Sequence, residues 1–140
     1  MTEKFKILGK FIKDLSSETP DIDTYLLAKE RIRKYQLGIE IDSKALKNKM
    51  IEINTKFMFQ DKEPNVKKAY FEIIFTTVVK IEGEIEQKKE LEKIILCDVQ
   101  NKIYPDLENA LLTLLHNSGY PNVSFEKKVN FDELYNRRFN

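Results

Sequence analysis

A chain of 140 residues is the size of one domain and can bury roughly two-thirds of the surface its unfolded form exposes, so a core is available without a metal or a disulfide. Its 24 Lys and Arg nearly balance 23 Asp and Glu, which argues against a dominant nucleic-acid or membrane-surface footprint. The single cysteine, Cys97, cannot close an internal bridge, no N-terminal apolar run leads to a cleavage site, and no stretch reaches the ~18–20 apolar residues of a membrane span, so a soluble protein of the reducing cytoplasm is expected.

From 5 to 81 the period is two. Phe5, Ile7 and Phe11 alternate with Lys6 and Lys10, with Leu8 out of pattern. The segment 19–33, "TPDIDTYLLAKERIR", is long enough to cross over a sheet, and its basic cluster "KERIRK" reads as a solvated face. Tyr35, Leu37, Ile39 and Ile41 then alternate with polar residues, as do Ile51, Ile53, Phe57 and Phe59. In "KAYFEIIFTTVVKI" (68–81), Phe71, Ile73, Phe75, Val79 and Ile81 share one face, and Tyr70, Glu72, Ile74, Thr76 and Lys80 the other. Alternation of this kind marks half-buried strands, and connections as short as "SKALKNK" and "DKEPNVKK" suit antiparallel neighbours. The reading is a four-stranded antiparallel sheet in a single α+β domain covering 1–140.

The charged stretch "EGEIEQKKELEK" (82–93) is expected to be a mobile connector, and beyond it the period becomes helical. At 100° per residue, Ile103, Ala110, Leu114, Leu107, Leu111, Tyr104, Leu115 and Leu112 span an arc of about 200°, roughly twice the stripe needed to pack on one surface. One side of this helix covers the sheet; the rest, around Leu112 and Leu115, needs another partner. Pro105 either occupies the first turn or interrupts a helix begun near Val99, and Gly119 supplies a left-handed cap. A short last helix starts at Asn130, with Glu133 completing a capping box and Phe131, Leu134 and Tyr135 as its apolar residues.

No catalytic constellation is present in the sequence. The lone histidine, His116, falls on the polar side of the long helix with no nucleophile near it, and Cys97 has no second Cys or His at ligand spacing. Asp14, Glu18 and Glu72 form an acidic set pointed toward water, where carboxylates suit recognition better than proton transfer. The four glycines, at 9, 38, 83 and 119, build no phosphate-binding loop. No enzyme, metal or cofactor is expected.

"KFIKDLSSETPD" at 10–21, "YP" at 104–105, "GYP" at 119–121 and "VNFDELY" at 129–135, in this order and spacing, resemble the SecB family of protein-export chaperones across nearly the whole chain. The resemblance implies four antiparallel strands followed by a long and a short helix. It also implies an ATP-independent holdase, a tetramer built as a dimer of dimers, that binds unfolded precursor proteins in apolar grooves and passes them to the SecA motor. The family's long helix lies between subunits, which would pack Leu112 and Leu115 on a neighbour; the alternative cover is the connector 82–99 folded back.

Carried over by position, the family's motor-docking surface falls on Asp14, Glu18, Tyr70 and Glu72. The client groove is expected to be lined by Tyr25, Leu26 and Leu27 of the crossover, Leu37, Ile39 and Ile41 of the second strand, and Leu134 and Tyr135 of the last helix. The chain departs from the family in having Ser17 where an aromatic is common, Glu108 where an arginine is common, a near-neutral charge and no polar tail beyond Asn140. Two other readings stand beside export: a SecB-like chaperone dedicated to a toxin–antitoxin pair, and an α+β cavity domain for a lipid or other small molecule.

Overall fold

The computed structural model describes residues 4–125 and 128–139, with backbone only for 138 and 139. Its strands are β1 (Phe5–Glu18), β2 (Gln36–Ala45), β3 (Met50–Gln60) and β4 (Tyr70–Ile81). They form one antiparallel sheet in the order β1-β4-β3-β2, so β1 and β2 are the edges. Four helices complete the chain: α1 (Ile22–Arg31), α2 (Lys88–Lys93), α3 (Val99–Asn117) and α4 (Phe131–Phe139). The expected fold class is therefore the observed one.

β2 and β3 form a tight hairpin because Asn48 and Lys49 both take left-handed backbone angles, φ 62° and 61°, the pair that matches the twist of flanking strands. At the other end of the sheet, where Glu18 pairs with Tyr70 and Gln36 with Gln60, the crossover helix α1 joins β1 to β2. Asp21 caps it, its Oδ1 accepting from the Thr24 amide at 2.8 Å. Thr24 and Ala28, one turn apart, are its buried face. The helix ends at a buried anchor. Arg31 Nε and Nη2 donate to Asp61 Oδ2 and Oδ1 at 2.5 and 3.2 Å, and the Glu63 amide donates to Asp61 Oδ1 at 3.0 Å.

The core lies between the inner sheet face and α3. Ile53, Phe57, Phe71, Ile73 and Val79 are buried against Ile103, Leu107, Leu111 and Leu115, the last four spaced by four residues along one side of the helix. Gln100 fixes the start of this layer. Its Oε1 accepts from Thr55 Oγ1 at 2.8 Å, and its Nε2 donates to the Ile95 carbonyl at 3.1 Å. That carbonyl belongs to a π turn, Ile94–Asp98, which joins α2 to α3.

Two expectations need correction, and one open alternative is decided. The alternation of β1 does not continue to Phe11: the register with β4 shifts between Ile7 and Gly9 and again between Ile12 and Asp14. Each extra residue reverses the faces, so Phe11 lies opposite Thr76 on the outer face, while Ile12 and Leu15 lie opposite Phe75 and Ile73 on the inner one. The stretch 82–93 is not all connector, since α2 starts at Lys88. Of the two places expected for Pro105, the structure has the second: α3 begins at Val99 and Pro105 lies inside it.

Leu115 is also corrected. It is fully buried within the single chain and does not wait for a neighbour, while Leu112 is half-buried. The second side of α3 is covered by the segment following Gly119 and by α4. The Tyr120 amide donates to the Leu115 carbonyl at 3.0 Å, the Tyr104 ring meets Phe131 edge-on at 5.8 Å, and Lys128 pairs with Glu108. Leu115 therefore needs no second subunit to be buried, whereas Leu112 stays half-buried.

Candidate client groove and outer-face patch

An open groove of about 1080 Å³ lies between the crossover and the C-terminal segment. One wall is the end of α1 and the turn Ile32–Lys34 that follows it; the floor is Leu37 and Ile39 of β2 with Phe59 of β3. The facing wall is Tyr120 to Phe125, with Val129 and Leu134 beyond. Its apolar floor continues the core, because Phe59 packs on Tyr35, Phe71 and Phe125 with ring centroids 5.5, 6.3 and 5.6 Å apart. Such a surface buries aliphatic and aromatic groups without directional demands.

The Gly119 end of the groove is held by Tyr25 and Tyr120. Gly119 has φ +106°, a conformation that disfavours any side chain, and a Cβ there would meet Tyr25 Cε1 at 2.8 Å. Tyr25 Oη donates to the Gly119 carbonyl at 3.0 Å. Tyr120 stands edge-on to Phe71 at 5.4 Å and shares a hydrogen bond with Thr19 Oγ1 at 3.1 Å. The crossover and the end of α3 are thereby locked together. On the other side, His116 Nε2 lies 2.9 Å from the Val123 carbonyl and steadies the facing wall.

Of the eight residues expected in the groove, Leu37, Ile39 and Leu134 line it. The other five do not. Tyr25 is turned to Gly119. Leu26 faces away from the chain and is 56% exposed. Leu27 and Ile41 are half-buried outside the lining, and Tyr135 is directed at α2, its Oη donating to the Lys89 carbonyl at 3.3 Å. The helical period of α1 separates Leu26 from the groove, a direction that the length of the crossover alone does not reveal. Phe59, Val123 and Phe125 were missed; Phe59 was legible as an inward strand residue, and the other two carry no periodic signal.

The four residues carried over for motor docking come together on the outer sheet face. Glu18 is registered opposite Tyr70, Ser16 opposite Glu72, and Asp14 opposite Ile74. Tyr70 Oη donates to Glu72 Oε1 at 2.7 Å, and Lys56 Nζ lies 3.2 Å from the same oxygen. Burial and the Glu72 carboxylate push the Tyr70 hydroxyl up to about 12, so it stays protonated as the donor of this pair. Asp14 accepts from Ser16 Oγ at 2.8 Å. Exposed apolar residues of β1 also escaped the sequence reading: Leu8, Phe11, Ile12 and Leu15 are 44–53% exposed, Phe11 on the outer face and Ile12 and Leu15 on the inner one. The out-of-pattern Leu8 was their one signal.

A four-stranded sheet backed by a long helix, with a crossover helix and a C-terminal helix framing a groove, is the fold of SecB-like chaperones. The chain matches such a chaperone of Mycobacterium tuberculosis, solved with a peptide from an antitoxin, at TM-score 0.66 over 91% of this chain and 92% of that one, with 12% identity. A Streptococcus agalactiae protein of unknown function matches at TM-score 0.53 and 8% identity, over 92% and 100% of the two chains. These likenesses show the fold alone. The sequence carries the kinship further: the family model described as preprotein translocase subunit SecB matches residues 1–140. A putative protein-export protein SecB of Pelagibacter ubique (strain HTCC1062) is 57% identical over 140 residues, the whole of both chains. The chain belongs to the SecB family and is a chaperone of the SecB type. Among the described residues, no helix is long and apolar enough to cross a membrane.

Proposed function

We propose that this protein is an ATP-independent cytoplasmic holdase that keeps precursor polypeptides unfolded and delivers them to SecA for export, acting as a binding protein and not as an enzyme. The observation that carries the reading is the open groove floored by Leu37, Ile39 and Phe59. An unfolded segment laid along it would bury scattered apolar side chains at roughly 25 cal/mol per Å², a term indifferent to sequence. An open groove favours a chain that passes through over a small ligand, which needs to be largely enclosed. The relative at 57% identity is named for protein export, which favours the export role over service to a toxin–antitoxin pair.

Delivery is assigned to the outer-face patch of Asp14, Glu18, Tyr70 and Glu72, on the opposite side of the sheet from the core. Assembly as a homotetramer, a dimer of dimers, would use the exposed apolar residues of β1 and the half-buried Leu112, with Leu115 acting only from within the subunit. The test is suppression of aggregation: the purified protein should slow aggregation of several unrelated unfolded proteins without nucleotide. No effect on any of them rejects the holdase reading.

A further inference from the structure

The outer sheet face holds a cation among the acids of the docking patch. Lys56 of β3 is registered between Glu40 of β2 and Ile74 of β4, and Ile74 is in turn opposite Asp14 of β1. Its Nζ lies 3.2 Å from Glu72 Oε1 and 3.9 Å from Glu40 Oε2. The Glu72 oxygen already accepts from Tyr70 Oη at 2.7 Å, so the ammonium and the phenol meet on one atom. No other Lys or Arg occurs in β2, β3 and β4 where they pair from Gln36, Gln60 and Tyr70 to Asp42, Asn54 and Thr76. On β1, Lys13 falls in the bulge between Ile12 and Asp14, is exposed, and enters no ion pair among the described residues.

We propose that Lys56 is a built-in competitor for the docking partner: it occupies the seat on Glu72 that a basic side chain of the motor takes on binding, and so keeps the dock weak enough to release. This rests on the assignment of the outer-face patch to motor docking. A surface carrying Asp14, Glu18 and Glu72 is complementary to a partner that brings positive charge, and a second cation at one carboxylate is repelled by the first. The seat itself is fixed, because Glu72 is half-buried and held by Tyr70. Its occupant is not. A lysine carries a compact charge on a flexible four-carbon stem, and an ion pair near the surface costs little to break. Glu40, exposed and already within reach of Nζ, receives Lys56 when a partner's cation arrives.

The test measures the affinity of the full chain for purified SecA by fluorescence anisotropy at ~0.1 M salt, where the screening length is about 10 Å. Lys56→Gln should bind roughly two- to fivefold more tightly than the parent, the range that one exposed charge contact provides. Lys56→Arg keeps the charge and should bind as the parent does. Lys80→Gln removes the same charge from an exposed position of β4 opposite Met50, about 20 Å along the strand from Ile74 at ~3.3 Å per residue, and should change little. In a Glu72→Gln background the Lys56→Gln gain should shrink, since the seat has lost its charge. The gain should also vanish near ~1 M salt, and circular dichroism should be unchanged throughout. Weaker or equal binding by Lys56→Gln, an equal gain from Lys80→Gln, or a gain undiminished beside Glu72→Gln overturns the competitor role while leaving the docking patch. Failure of every chain to bind SecA overturns the docking patch itself, and the competitor role with it.

Discussion

The central strands and the edge strand β1 follow different rules. β3 and β4 are paired on both sides and in continuous register with each other from Met50 opposite Lys80 to Gln60 opposite Tyr70. A slipped residue there would turn apolar side chains outward against two neighbours at once. β1 is paired only with β4, and it shifts register twice. β2, the other edge, keeps register with β3 throughout, held by its tight hairpin. An edge strand bends at small cost because one ladder is disturbed rather than two. The result is a contrast within one sheet: the inner centre holds the buried core, and β1 leaves apolar and acidic side chains exposed.

The comparison breaks most readily in the core. Leu107 is fully buried, and Leu107→Ala should cost on the order of 2–5 kcal/mol by urea denaturation, the range for a leucine removed from a packed interior. Phe11→Ala, at a residue 53% exposed, should stay within about 0.5 kcal/mol for the isolated subunit and act, if at all, on sedimentation. Equal losses at the two sites would dissolve the distinction. The next largest effect is expected at the join between crossover and α3. Gly119→Ala adds a Cβ in left-handed backbone and 2.8 Å from Tyr25, and strain of this kind is on the order of 1–3 kcal/mol. A thermal midpoint equal to that of the parent would show that Tyr25 moves aside freely.

The sheet and the long helix were legible because each keeps one period over a full element: two in "YFEIIF", three to four in "ENALLTLL"; the crossover was read from its length and the last helix from its capping box. Bulges are not periodic, so Phe11 was assigned to the wrong face from a correct strand. The π turn was equally hidden, since "IILCD" is apolar on too many positions to show its phase. The wide arc of α3 correctly signalled a second covering layer, but the identity of that layer depends on where the chain goes after Gly119, which a helical wheel cannot report. The groove was legible in its strand residues, Leu37 and Ile39, and illegible in Val123 and Phe125, which lie in an irregular segment.

A smaller effect separates buried charge from surface charge. The Arg31 hydrogen bonds, opposed by burial and helped by the Glu63 amide, hold the Asp61 carboxyl at about 2, below the ordinary 3.8. A carboxyl depressed in the folded state stabilises it above its unfolded value, and the contribution fades as pH falls from near 3.8 through about 2. Stability measured against pH should therefore drop more steeply between roughly pH 4 and pH 2 in the parent than in Asp61→Asn. Parallel curves would mean that Arg31 and Asp61 are joined no more tightly in the folded protein than in the unfolded chain.

The smallest effect on stability, and the largest on partnership, is expected on the outer face. Asp14→Lys with Glu18→Lys alters exposed positions, and substitutions of that sort usually stay within about 0.5 kcal/mol. Glu72→Gln removes the charge beside Lys56 while keeping an oxygen to accept from Tyr70, so the third change avoids the repulsion that a lysine would introduce there. If this patch is what SecA meets, the triple variant should lose most of its affinity for the motor at low salt, because rim charges act through attraction that salt screens. Client binding should persist, since the groove lies on the other side of the sheet and its apolar floor is untouched. Light scattering with an aggregating client and sedimentation with SecA read the two activities independently. Retained SecA binding moves the docking surface elsewhere; joint loss of both activities, with urea midpoints unchanged, would show that the two faces do not act separately.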